Sequence, residues 1–569
     1  MLMARLINDL NIKMNKDKEE GASFAQQYLL NKGLKVFGKK GYDASMKEMG
    51  QLDTRHCFTP VSVKDMTYPE RNKSQIAFMF ITEKRDGTVK ARCVYNGKPT
   101  REWLSREDSS SPTAALESIM LTAVIDAYYE GRDVMTCDIP NAFIQALMPE
   151  TKTGDERVIM KITGVLVDML VEINPQLYGP YVVYEKSRKV LYVRVLRAIY
   201  GMLEAALLWY KKFRHELEQE EFIFNPYDPC VANRQRNGSQ HTILFHVDDL
   251  KSSHIDPKIN DQFEEWLQDN YGQHGKVVTH RGKIHEYLGM EIDYTEKGKV
   301  IFGMIKYVEN MIKDFPMKLK STDIAQTPAG DGLFNEGQGK KLPTERAEAY
   351  HTSVAKGLFL CKRARPDIQP TVAVLCTRVK GPNEADWGKL VRLMKYLNGS
   401  KKRRLTLSAG NIRCIKWYVD ASFAVHPDFK SHTGAAMIFD EGEGAVQSVS
   451  RKHKLNTKSS TEAELVAVDD ISVMILWTKL FMEAQGYEID RNILYQDNKS
   501  AILLEENGKK SSGKRTRALN IRYFFLTDQV EKGNVIIEHC PTEEMIGDFH
   551  TKPLQGEKFR KFRDSILGS

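Results

Sequence analysis

Apolar and polar positions alternate with period two in several short stretches of this chain, and between them lie longer stretches of helical spacing. From Gln75 to Val94 two alternating stretches flank Asp86-Gly87, a hairpin turn signal. A helix is expected next, with Ser111 as cap, Pro112 at its first position and Gly131 just past its end. Val134 to Asp138 reads as a buried strand, and Tyr181 to Glu185 with Val190 to Leu196 as a hairpin. Leu207, Leu208, Phe213 and Leu217 give Glu204 to Glu220 helical spacing. Val231 to Arg234 and Thr242 to Val247 are strands joined across Asn237-Gly238. Ser321 to Pro343, rich in Gly, Pro, Thr and Asp, reads as a linker, with helices from there to about Asn398. From Ile412 three strands precede a helix starting near Ser459, then strand and helix alternate to the end. The pattern predicts several domains of mixed α/β and α+β type, without a fixed-period repeat.

Composition narrows the class without naming a chemistry. At 569 residues the chain is too long for one core. With 41% hydrophobic and 28% charged residues it reads as an ordinary soluble globular protein. The net charge of +8 is too mild to imply a polyanionic partner by itself. Its placement is more informative: Lys401, Lys402, Arg403 and Arg404 form one basic cluster, and Lys509, Lys510, Lys514, Arg515 and Arg517 another. Either could be a solvated loop or a phosphate contact. The 8 cysteines contain no C-x-x-C pair, which argues against a zinc knuckle or disulfide framework and for a reducing compartment. No 18-residue apolar run exists, since Val158 to Val171 is broken by Lys161 and Asp168, and the amino terminus lacks a signal core. The expectation is an intracellular chain, cytoplasmic or nuclear, without a membrane partner.

Candidate chemistry starts at His246-Val247-Asp248-Asp249, which follows the apolar run Ile243 to Phe245. Adjacent carboxylates at the tip of a tight hairpin repel, unless a divalent cation offsets the cost. Taken alone, such a pair is usually a solvated turn. The segment CDIPNAF, Cys137 to Phe143, places a further carboxylate, Asp138, at the end of another apolar strand. If the two strands are sheet neighbours, Asp138, Asp248 and Asp249 can share metal ions. Otherwise Asp138 merely caps the next turn.

The order VMTCDIPNAF, AIYGMLEAALLWY (Ala198 to Tyr210), HVDDL, HEYLGMEI, SSTEAEL and TEEMIGDFHTKPL resembles the pol polyprotein of copia-type LTR retrotransposons, over roughly residues 55 to 556. The resemblance implies a right-hand polymerase of fingers, palm and thumb at 55–320, and a linker and helical connection at 321–410. A ribonuclease H-like α/β domain would follow at 411–556, with a partly helical extension at 1–54 and a tail at 557–569. It implies that Asp138, Asp248 and Asp249 hold the polymerase metals and that Phe143 lies beneath the nucleotide sugar, where its ring would select deoxynucleotides. Tyr200-Gly201 would line the nucleotide pocket. Lys84, Lys90 and Arg92 stand where the family's fingers grip the triphosphate, and Lys90 and Arg92 share a strand face by their spacing. Two departures stand out. His246 replaces the usual Tyr, and Leu203 to Leu207 replaces a stretch that usually carries two more positive charges.

The same resemblance implies a second centre. Asp420 lies in the strand WYVDAS, Glu464 near the start of a helix, Asp497 at a strand-to-helix junction and Asp548 in a short terminal helix. In this order they are similar to the ribonuclease H carboxylates that cut RNA in hybrids with two ions and an activated water. Thr461 and Glu464 also have capping-box spacing, and Glu462 is the rival for the catalytic role. Within Arg515 to Phe525, Ala518 stands where the family often has His. The implied cofactor is Mg2+, two ions per site, with Mn2+ able to substitute. The implied partners are an RNA template, a DNA primer, RNA–DNA hybrid and deoxynucleoside triphosphates. The competing expectation is a decayed or repurposed retroelement copy that binds nucleic acid without chemistry. The polyprotein's capsid, protease and integrase parts are not seen in these strings.

Overall fold

The computed structural model describes residues 27–84, 87–149, 156–508 and 520–569. Asp86, Ala518 and the basic cluster from Lys509 to Arg517 lie outside the described residues. Four sheets organise the described chain. A seven-stranded sheet contains the hairpin Gln75–Glu83 and Val89–Tyr95, in which Phe80 faces Arg92 and Thr82 faces Lys90. Its edge strand Gln27–Leu29 leads into helix Leu30–Thr54, whose Gly33 lies so close to Ile81 that a Cβ would sit 2.9 Å from that side chain. Residues 27–54 are therefore built into this sheet, and the expected boundary at 54/55 is not a structural one.

The six-stranded sheet runs in the spatial order Val278–Arg281, Asp133–Asp138, Asp249–His254, Ser239–His246, Asp228–Arg236, Ile223–Asn225. The Asn237-Gly238 turn forms as expected, both residues having positive φ (50° and 73°). Helix Ala205–Gln219 buries Leu207, Trp209, Phe213 and Leu217 against this sheet's apolar face, with Trp209 and Phe213 stacked at 5.3 Å. One expected helix start is displaced: Ser111 and Pro112 precede the helix, which runs Leu116–Tyr128. Asp228 from the sheet explains the shift, because its carboxylate accepts from the Ala115 N–H at 2.9 Å and the Ser118 hydroxyl at 2.5 Å. A tertiary partner does the work of a local cap.

A four-stranded sheet joins Ile284–Tyr287, Met290–Asp293 and Lys299–Gly303 to Leu405–Ser408, a strand from the far side of the expected linker. Between them, residues 321–343 bury Leu333 and Phe334 and lead into helices Thr344–Cys361, Gln369–Cys376 and Glu384–Gly399. The last sheet has the meander Gln447–Lys452, His432–Asp440, Asn411–Ser422, followed by parallel strands Arg491–Gln496 and Ile536–His539. Helix Ser460–Ala484 packs on it and also reaches the six-stranded sheet, where Asn225 Nδ2 donates to the Phe481 carbonyl at 3.1 Å and Trp477 Nε1 to the Tyr227 carbonyl at 3.0 Å. Residues 557–569 are not a loose tail. Helix Gly556–Leu567 buries Phe559, Phe562, Ile566 and Leu567, and its Ile566 carbonyl accepts from the Ala445 N–H at 2.9 Å. Among the described residues, no helix is long and apolar enough to cross a membrane.

Two close backbone approaches couple the hairpin sheet to Tyr200-Gly201. The Tyr95 N–H donates to the Tyr200 carbonyl at 2.8 Å, and Gly201 has φ +91° with its Cβ position 2.3 Å from the Tyr95 carbonyl oxygen. Gly201→Ala is expected to destabilise the fold by about 2 kcal/mol or more, from left-handed strain plus the clash. Urea unfolding of both forms measures the difference.

Candidate active sites

The antiparallel register places Asp138 directly opposite Asp249, and Asp249 in turn opposite His246 across a two-residue turn. Asp248 occupies that turn, and its carbonyl accepts from the Ile139 N–H at 3.1 Å, tying the turn to the end of the Asp138 strand. Val247 completes the turn at φ +62°, an unfavourable region for a β-branched residue. Trp209 Nε1 donates to the Val247 carbonyl at 2.7 Å and holds it there. This support is not visible in the sequence pattern, where Trp209 reads only as a core aromatic.

The three side chains thus gather on one sheet end, Asp138 exposed and Asp248 and Asp249 half-buried. Among the described residues no basic group pairs with any of them. Burial, then the neighbouring Asp248 and Asp138 charges, push Asp249 up to about 6, and burial followed by Asp138 also raises Asp248. Uncompensated negative charge in a partly desolvated place is what hard cations bind. Phe143 lies edge-on to Tyr200 at 5.2 Å, and the Arg92 guanidinium covers the Tyr200 ring at 5.1 Å. Lys90 and Arg92 feel the carboxylates electrostatically, Lys90 through Asp138 and Arg92 through Asp248. Lys84 is exposed at the hairpin end. The structure therefore brings together Asp138, Asp248, Asp249, Phe143, Tyr200, Gly201, Lys90 and Arg92, with Lys84 peripheral.

The second group forms on the last sheet. Asp420, Glu464 and Asp497 present ligand oxygens all within 4.8 Å of one another, the one such His/Cys/Asp/Glu trio among the described residues, so the first group is the wider of the two. The capping contacts set Glu462 and Glu464 apart. Ser459 caps the helix by accepting from the Glu462 N–H at 3.2 Å, and Glu462 accepts from the Lys458 N–H at 2.7 Å. Thr461 is not the cap, because Ser459 lies two residues earlier and takes that role. Glu464 is thereby left to face the sheet, 5% exposed. Burial, then Asp420 and Asp497, raise its pKa well above the usual carboxylate range, and Asp420 is raised by burial as well. Gln496 positions the trio: its Nε2 is 3.4 Å from Glu464, and its Oε1 accepts from the Asp497 and Asn498 N–H groups at 2.9 and 3.1 Å.

Asp548 lies beside Asp420 but outside the trio. Its two oxygens are taken by Lys552 and Lys558, the latter at 3.0 Å. Lys552 also stands 3.7 Å from Asp420, to which the Thr551 hydroxyl donates. These partners were absent from the sequence expectation, although the i,i+4 spacing of Asp548 and Lys552 on a helix signals the contact. In the basic segment before this sheet, Arg403 pairs with Asp564 at 3.5 Å and Arg404 with Asp293 at 3.4 Å, so half of its charge is used within the fold.

A sheet-borne carboxylate trio thus stands beside an aromatic pair and a basic hairpin. Residues 67–329 match the family described as reverse transcriptase (RNA-dependent DNA polymerase). The retrovirus-related Pol polyprotein from transposon TNT 1-94 of Nicotiana tabacum is 24% identical over 503 residues, covering 85% of this chain and 35% of its own length. That of transposon RE1 of Arabidopsis thaliana is 26% identical over 492 residues, covering 84% and 31%. The chain thus spans about a third of the length of these curated relatives. Among solved structures, a foamy viral protease-reverse transcriptase in complex with double-stranded DNA aligns over 92% of this chain and 84% of its own, with 10% identity and a TM-score of 0.45.

Asp249→Asn is expected to stabilise the protein in EDTA at pH 8 by about 1 kcal/mol, after allowance for solvent screening. The sign follows from a raised folded-state pKa: the ionised form costs stability once pH exceeds the ordinary value of 3.8, and the cost is complete above about 6. The gain should therefore shrink below pH 6 and vanish below 3.8, as read by denaturant unfolding at each pH.

Proposed function

We propose that the chain is an RNA-directed DNA polymerase with a tethered ribonuclease H, its fingers, palm and connection formed by the first three sheets and its nuclease by the last. The observation that carries the reading is the register pairing of Asp138 with Asp249, with Asp248 in the adjoining turn. Asp138, Asp248 and Asp249 would hold divalent cations, Mg2+ by preference, which supply activation of the primer hydroxyl and charge neutralisation at the phosphates. The donor set suits them: three oxygen-only ligands, two of them raised in pKa by burial and then by neighbouring carboxylates, and none paired with a basic group among the described residues.

The chain's own groups do the rest. Lys90 and Arg92, on one face of the hairpin, offset triphosphate charge and orient it toward the carboxylates. Phe143, braced by Tyr200, presents a ring edge against the sugar, so that a 2′-hydroxyl would clash and deoxynucleotides are preferred. Gly201 allows the backbone at this pocket to approach Tyr95 without a side chain in between. At the last sheet, Asp420, Glu464 and Asp497 would hold a cation that activates water, and RNA in an RNA–DNA hybrid is the substrate. Binding of template, primer and hybrid relies on lysine and arginine contacts to phosphate and should weaken steeply with salt.

Asp248→Asn is expected to lower Mg2+-dependent extension of a DNA primer on an RNA template by at least about 100-fold, with thermal unfolding in EDTA no lower than that of the wild type. Undiminished synthesis by that variant would refute the polymerase assignment. Asp497→Asn should abolish hybrid cleavage and leave extension intact; joint loss of both activities would count against two separate centres.

A further inference from the structure

Lys552 occupies a place that the carboxylate arrangement would otherwise leave for a cation. Its ammonium is paired with Asp548 and lies 3.7 Å from Asp420, two carboxylates whose side chains are 2–3% exposed. Lys558 takes the other Asp548 oxygen at 3.0 Å, and the Thr551 hydroxyl binds Asp420. Formal charge makes the consequence plain. Asp420, Glu464, Asp497 and Asp548 contribute four negative charges, and Lys552 and Lys558 two positive ones. One divalent cation on the Asp420–Glu464–Asp497 trio cancels the remainder; a second, shared by Asp420 and Asp548, would have to expel an ammonium from a buried carboxylate or leave the centre positive by two.

We propose that Lys552 acts as a built-in substitute for the second metal ion of the C-terminal centre, which therefore takes one divalent cation instead of two. This rests on the proposed reading of that centre as a metal-dependent nuclease. Lys552 is a positioning residue here: it fixes Asp420 and Asp548 and supplies a fixed positive charge on the side of Asp420 that carries Asp548. An ammonium neutralises charge but cannot lower the pKa of a bound water, so water activation falls to the trio alone.

The test counts bound Mn2+ by electron paramagnetic resonance on the full chain. Glu464→Gln should bind one ion fewer than the wild type, Lys552→Met one ion more, and Lys552→Arg, which keeps the charge, the same number. An unchanged count in a folded Lys552→Met protein, or loss of two ions in Glu464→Gln, overturns the substitution by lysine. Should Lys552→Met fail to fold, a gained ion in Lys552→Arg overturns it equally. A Glu464→Gln count equal to the wild type instead overturns the underlying assignment of the trio as a cation site.

Discussion

Everything at the first centre depends on two strands pairing in one register. Asp133–Asp138 and Asp249–His254 bring Asp138 opposite Asp249 only if Thr136 also faces Lys251. A slip of one residue would turn every side chain to the wrong face. What fixes the register lies beneath the sheet. Lys251, 2% exposed, is ion-paired with Asp126 of helix Leu116–Tyr128, and Arg132 binds the same carboxylate at 3.0 Å and the Ser253 carbonyl at 3.2 Å. Burial drives the Lys251 pKa down and Asp126 opposes the fall. Such a network adds less stability than apolar packing would, but a displaced register would leave a buried charge unpaired at a cost of about 3–5 kcal/mol. The polar network thus sets where the carboxylates stand.

The two carboxylate groups handle like-charge repulsion differently. At the sheet end of Asp138, Asp248 and Asp249 no cationic side chain among the described residues pairs with them, and burial with the remaining repulsion raises the affinity of Asp249 for protons. At the last sheet the chain brings its own counter-charges, Lys552 at the end of the short helix Asp548–Thr551 and Lys558 in helix Gly556–Leu567, and leaves only part of the charge open. The first group keeps its charge unpaired among the described residues; the second is partly pre-neutralised.

Much of this was legible in residue order because the relevant signals are local. Hairpin turns such as Asn237-Gly238, the apolar strand before Asp138 and the Asp248-Asp249 turn have short-range causes, and the structure keeps all of them. What could not be read depends on partners distant in sequence. The start of helix Leu116–Tyr128 is set by Asp228, 113 residues from Ala115, and the strained Val247 is held by Trp209. Whether Glu464 is spent on capping depends on which hydroxyl side chain reaches the first-turn amides, a choice that spacing alone leaves open between Ser459 and Thr461. The helix at 556–567 was read as a tail because its apolar residues are few, although each is buried.

The strand Leu405–Ser408 has a topological consequence. It crosses back from beyond the 321–343 stretch to complete a sheet begun at Ile284–Tyr287, while Asn225 and Tyr227 grip the helix Ser460–Ala484. The chain is interlaced, not strung like beads. A protease nick within 321–343 would therefore yield two pieces that stay clasped under native conditions and part only in denaturant, so the segments that carry the two carboxylate groups cannot be liberated from one another by a single cut there.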